Sequence, residues 1–135
     1  RDGPARVLVG AHGGATSPLD APGSITYVAV SLQAGETWPF RPGINHTVAW
    51  ISLSIGRVQV PETVDAGELA IFDLSSGAID ITAERDTEFV VGSAVPHTYD
   101  LVLGRYSVHT SPANLAAGEK RLTEIQHQLR DAGRL

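Results

Sequence analysis

The chain has 135 residues, 42% of them hydrophobic and 19% charged, which is the size and balance of one globular domain rather than a disordered segment. A formal net charge of −5 argues against a nucleic-acid surface, and the lack of cysteine excludes disulfides, thiolate metal sites and a cysteine nucleophile. No apolar run approaches the roughly 18 residues a membrane span needs and nothing reads as a signal peptide, so a cytoplasmic protein with neither membrane nor direct nucleic-acid partners is expected. Methionine is absent even at position 1, and Arg1-Asp2-Gly3-Pro4 reads as a linker, so the chain is expected to have lost its initiator or to come from a longer polypeptide.

Taken in order, residues 5–9 (Ala-Arg-Val-Leu-Val) form a short β-rich run ended by Gly10. Residues 10–24 are rich in Gly, Pro and Ser, with stops at Pro18, Pro22 and Gly23, and read as a flexible connection. Within it, Gly10-Ala11-His12-Gly13-Gly14 lacks the Lys-Ser/Thr of a phosphate loop, and no Gly-x-Ser-x-Gly elbow exists to pair with an oxyanion loop. Residues 25–32 are dense in β-branched and aromatic side chains. Thr26, Val28, Val30 and Leu32 share one face of that strand, and Ile25, Tyr27, Ala29 and Ser31 the other. Thr37-Trp38-Pro39-Phe40 reads as an edge or a strand end, because Pro39 cannot donate to a ladder.

The longest β pattern runs from Pro42 to Val60: a buried strand over residues 46–55, a turn at Gly56 and a second short strand. A matching block follows at residues 65–83, with strands expected over 68–72 and 78–83. Alternation there turns Ile79 and Ile81 inward and Asp80 outward. Further strands are expected over 88–92, 101–103 and 106–108. Short, regularly spaced strands with Gly/Asp/Ser punctuation and no helix between them indicate a sandwich or barrel.

After residue 110 the period changes. Ser111 suits an N-cap and Pro112 the first helical position, while Gly118 is a weak point and Gly133 a stop. Leu122, Ile125 and Leu129 recur at helical spacing, an apolar stripe that is expected to pack on the barrel or on a partner. Lys120, Arg121, Arg130 and Arg134 alternate with Glu119, Glu124 and Asp131, as on a solvated face. One domain results, a β-barrel over 1–110 followed by a helix over 111–135.

No catalytic residue stands out. Glu36, Glu62, Glu68, Glu84 and Glu88 are spread over turns and strand ends, with no pair marked as acid and base. Asp20, Asp65 and Asp86 read as turn residues, and Tyr27, Trp38, Phe40 and Trp50 as core or interface aromatics. Thr47, Ser52 and Ser54 give the long strand a polar second face, so the expected ligand pocket, if the chain has one, gathers His46, Thr47, Trp50 and Ser52.

Several stretches together resemble one family, the pirins, and within it the C-terminal cupin domain of a two-cupin pirin. Gly3-Pro-Ala-Arg-Val-Leu-Val-Gly10 resembles the opening strand, and residues 24–35 the second strand and its turn. Ala66-Gly67-Glu68-Leu69-Ala70 resembles the barrel's Gly-Asp/Glu-Leu-Ala step. Gly104-Arg-Tyr-Ser-Val-His-Thr110 and the terminal Asp131-Ala-Gly-Arg134 resemble the family's Gly-Pro-Phe-Val-Met-Asn-Thr segment and closing Gly-Arg helix. The resemblance spans essentially the whole chain, and order and spacing carry it more than any single motif. It implies an all-β cupin jelly-roll barrel, a double-stranded β-helix, with one C-terminal α-helix. It also implies that any iron or other divalent metal belongs to an N-terminal cupin partner, where family members hold one metal with histidines and a glutamate. Some members oxidise quercetin-like flavonols, and others are redox-sensitive regulators of transcription.

A cupin centre places a His-x-His pair, a glutamate and a distant histidine on inward positions of two strands, because residues two apart face the same way. Counting back from Gly56, the glutamate position falls on Ala49 and the His-x-His positions on Gly43 and Asn45 or one residue earlier; the second block's histidine falls near Ala78. His46 is one place out of frame, and His97 and His109 are the other nearest candidates, with His12 and His127 more distant. The expectation is therefore a domain with no metal or cofactor of its own. It is the structural or regulatory half of a bicupin protein or an interaction module, partnered by an N-terminal cupin domain or by copies of itself. The alternatives are a metal-dependent quercetinase-type dioxygenase and a small-molecule-binding cupin.

Overall fold

The computed structural model describes residues 3–19 and 23–135. Arg1 and Asp2 of the expected linker, and Asp20 and Pro22 of the first loop, lie outside the described residues. The chain divides into two compact units, Arg1–Pro96 and His97–Leu135, so residues 97–110 group with the helix.

Eleven strands make up the first unit: β1 (Ala5–Val9), β2 (Ala11–His12), β3 (Ala15–Thr16), β4 (Ile25–Leu32), β5 (Thr37–Phe40), β6 (Val48–Ile55), β7 (Arg57–Gln59), β8 (Thr63–Asp65), β9 (Leu69–Ile71), β10 (Ile79–Ala83) and β11 (Thr87–Ala94). Nine of these described strands form a five-stranded sheet in the order β1-β4-β11-β6-β9 and a four-stranded sheet in the order β5-β10-β7-β8, all antiparallel. Both sheets contribute to one core. Val28, Ile51 and Val91 from the first and Phe40, Val58 and Ile81 from the second are completely buried. Alternation produces this, since every second residue of β4, β6 and β11 turns to the core.

Pro39 sits on β5, an edge strand, where its missing N–H costs no ladder bond. Residues 11–16, within the expected flexible connection, are ordered as a hairpin. β2 and β3 form a small hairpin across Gly13 and Gly14, both at positive φ, and His12 stacks on Phe40 at 5.3 Å between ring centroids. A Cβ at Gly56 would run into the Asp86 carbonyl and Thr87 Oγ1, and its φ of 88° is left-handed, so the β6–β7 turn requires glycine.

In the second unit, β12 (Val102–Leu103) pairs with β13 (Val108–His109), and α1 (Pro112–Asp131) packs against that hairpin. Ser111 caps α1, its Oγ accepting from Asn114 N–H at 3.1 Å. The helix passes through Gly118 unbroken. A Cβ there would stand 2.7 Å from His109 Cε1, so the residue is a seat for an imidazole rather than a weak point. Leu115 approaches Gly104 in the same way, while Leu122 and Ile125 are 52% and 36% exposed and Leu129 is half-buried. No helix among the described residues is long and apolar enough to cross a membrane.

Candidate functional site

The cupin pattern expected from the sequence puts the metal position beside Ala49 in the first unit. Ala49 faces inward there, buried, opposite Ser93 on β11, which in turn pairs with Thr26 on β4. Just before β6 the chain makes a turn in which His46 N–H donates to the Gly43 carbonyl and Asn45 takes a φ of 64°. A left-handed third residue is what a type II turn asks for, and asparagine is among the residues that tolerate it. The turn explains why β6 starts at Val48 and not at residue 46. It also swings His46 inward, where its Nδ1 lies 2.8 Å from Ser93 Oγ. Gly43 makes room for the ring, since a Cβ there would stand 2.9 Å from His46 Cε1. Burial pushes the imidazole below the ordinary histidine range, only partly offset by the hydrogen bond to Ser93, so the ring is held neutral.

One imidazole, two hydroxyls and the Ala49 methyl therefore fill the space in which cupins assemble a histidine–carboxylate set. Among the described residues no three His, Asp or Glu side chains come together in a way that would hold a metal. His97 and His109 belong to the second unit and are engaged locally. His97 Nδ1 lies 2.7 Å from the Tyr99 carbonyl, and His109 Nε2 lies 2.8 Å from Ser107 Oγ. The residues present do not fit the cupin metal.

His46, Thr47, Trp50 and Ser52 do not converge either. His46 points into the core, whereas Trp50 and Ser52 occupy the opposite face of β6 because they alternate with Ala49, Ile51 and Leu53. That outer face of the five-stranded sheet is unusual. Cross-strand register places Tyr27, Gly92, Trp50 and Ile71 in one row and Ala29, Val90, Ser52 and Leu69 in the next. Trp50 lies over Gly92, and its ring meets Tyr27 at 6.2 Å. Leu69 and Ile71 are 61% and 73% exposed. Of all the outward positions on β4, β6, β9 and β11, Glu88 alone is charged. With Arg6, Ser31, Ser52 and Ser54 it borders a shallow trough of about 590 Å³.

A second hollow of about 660 Å³ opens between the two sheets. Ala49, Val60 and Val64 are its buried lining; Ala70, Phe72, Ala78 and Ile79 line it higher up; and Glu62, Asp73 and Asp80 are exposed around it. Ala49 and Ala78, on or near which the glutamate and second histidine of the cupin pattern fall, both line this hollow. It was missed in the sequence because its carboxylates lie on three separate segments. Inward-facing Ser93 was missed because the expected strand stopped at Gly92.

No protein-family model matches the chain, and no curated protein matches its sequence. Solved structures do resemble it. A crystal structure of quercetin 2,3-dioxygenase from Acinetobacter baumannii superposes with a TM-score of 0.78 and 20% identity, over 89% of this chain and 42% of that one. A second structure of that enzyme gives 0.76 and 17%, over 93% and 42%. The bacterial pirin YhhW from Escherichia coli, in complex with nickel(II), gives 0.54 and 15%, over 69% and 40%. A Cupin_2 domain of an XRE family transcriptional regulator from Enterobacter cloacae gives 0.52 and 12%, over 69% and 96%. At these identities the likeness is one of fold. The chain has the cupin fold, and it spans less than half the length of the dioxygenase structures it matches.

Proposed function

We propose that this cupin-fold chain is a metal-free, non-catalytic half of a two-cupin protein of the pirin kind, acting as a structural or regulatory platform for a second cupin unit upstream in the same polypeptide. One observation carries the reading: on the outer face of the five-stranded sheet the outward positions of β4, β6 and β9 bear no charge, and the charges are confined to Glu88 on β11 and Arg6 on the edge strand β1. A sheet whose second face meets water alternates apolar with polar residues; near-continuous apolar strands belong to sheets covered on both sides. A face with the small or β-branched residues Ala29, Val90 and Gly92 in register suits another sheet packed about 10 Å away. The occupant is a joined cupin unit because the dioxygenase structures that resemble this chain extend well beyond the part that it matches. Ala49 and Ala78, without donor atoms at the expected ligand positions, favour placing any metal in that other unit.

The test combines two measurements on the purified chain. Elemental analysis, with thermal melts before and after chelator, is expected to find no stoichiometric metal and no shift. Bound iron, copper or nickel with a melt lowered by chelation overturns the metal-free reading and favours a quercetinase-type centre. Sedimentation and binding of an apolar dye are then compared for the native chain and Val90→Lys. A dye-binding monomer that loses the dye on substitution supports an uncovered docking face. A dimer dissolved by the substitution makes a second copy the occupant, and a monomer that binds no dye overturns docking altogether.

A further inference from the structure

The hollow between the sheets differs from the trough on the outer face in its charge, which is of one sign, where Arg6 and Glu88 border the trough. Its volume of about 660 Å³ lies in the range of small-molecule sites, roughly 300–1,000 Å³. It reaches the core at Ala49, and Phe72 and Ile79 present apolar surface to it. The segment between β9 and β10 is tied to β6 by backbone bonds from Phe72 N–H to the Ala49 carbonyl and from Ser75 N–H to the Thr47 carbonyl, so this wall is built into the sheet. The charged residues lining the hollow are Glu62, Asp73 and Asp80, all exposed and acidic, and no lysine or arginine lines it. None of the three carboxylates takes part in an ion pair among the described residues.

We infer that this hollow binds a small apolar molecule bearing a cationic amine, its hydrocarbon or aromatic part against Phe72 and Ile79 and its ammonium among Glu62, Asp73 and Asp80. The two halves of the site supply different things. Removing apolar ligand surface from water gives affinity. Exposed carboxylates add a modest attraction that salt screens, and so give selectivity by charge. The site goes beyond the platform role, because it needs neither a metal nor a second cupin unit.

The inference is tested by two-dimensional amide NMR on the 135-residue chain with three matched probes: 4-phenylbutylamine, 4-phenylbutanol and 4-phenylbutanoate. The amine is expected to shift the amides of Ala49, Phe72, Ile79 and their neighbours. It should bind about tenfold more tightly than the alcohol at low ionic strength, the carboxylate weakest of all, with the gap closing as salt is added. Asp73→Asn with Asp80→Asn should remove most of the preference for the amine while leaving alcohol binding unchanged. Ala78→Phe, at an exposed position lining the hollow, should weaken all three. Equal binding of the three probes, shifts located elsewhere, or no binding at millimolar concentration would overturn the inference. A failure of the docking test leaves these outcomes unaffected, so the two readings fail separately.

Discussion

Gly92 and Trp50 provide the sharpest quantitative test of the outer face. A Cβ on Gly92 would meet Cζ2 of the indole, with Cε2 at 2.5 Å and Cη2 at 2.9 Å, closer than real Cβ atoms approach. The φ of Gly92 is not left-handed, so alanine is conformationally allowed and the conflict is with the ring alone. Gly92→Ala must therefore lift the indole. An aromatic side chain buries about 150–250 Å², and losing roughly 80 Å² of that at about 25 cal/mol per Å² costs about 2 kcal/mol. Replacing a strand glycine by alanine returns about 0.5–1 kcal/mol of chain entropy and propensity. The net loss is about 1–1.5 kcal/mol. In a Trp50→Ala background the conflict is gone, and the same substitution should stabilise by about 0.5 kcal/mol. Urea unfolding followed by circular dichroism on the four proteins of this cycle is expected to give a coupling near 2 kcal/mol, within the range found for contacting residues. In a Trp38→Phe background, Gly92→Ala should also shift Trp50 emission to the red. An equal cost of Gly92→Ala in both backgrounds would refute the geometry.

Three further outcomes follow from the fold. Ile51→Ala removes a completely buried side chain from the centre of β6 and should cost about 2–5 kcal/mol by urea unfolding. Ser111→Ala deletes the cap of α1 and should cost about 1 kcal/mol, read as lost helicity and faster amide exchange at Asn114. His46 gives a pH dependence: burial lowers its folded pKa, so on acidification the unfolded chain takes up the proton first. Stability should be full above about pH 6.5, the unfolded histidine value, and decline as pH falls from there through the folded value. This decline should flatten in His46→Gln, and identical profiles for the two proteins between about pH 7 and 5 would remove burial as the cause.

The parts of the fold that were legible were those specified locally. β4, β5 and the capped start of α1 appear where composition, Pro39 and Ser111-Pro112 put them. β8 was not legible, because Thr63-Val64-Asp65 is three residues long and acquires its extended form by pairing with β7. The β2–β3 hairpin was hidden by its glycines, which read as looseness but here supply the positive φ of a turn. At the candidate site, Ala49 and Ala78 could be read as residues without donor atoms, and Ala49 is buried and faces inward. The position of His46 was not visible. It depends on a left-handed Asn45 and on the space above Gly43, neither of which leaves a periodic trace. The hollow between the sheets depends on which strands become neighbours, and that is a long-range property.

That long-range order also governs how the protein comes into being. β11 is hydrogen-bonded to β4 on one side and to β6 on the other, yet it is the last strand of its sheet to be synthesised. As the nascent chain leaves the ribosome, β4 and β6 emerge with apolar faces and open edges well before the strand that joins them exists. Pairings between such distant segments form slowly, and unpaired edges recruit other chains in the interval. The hazardous period for this polypeptide is thus the translation of residues 33–94, and a pause or truncation before Thr87 would release a chain unable to close its larger sheet.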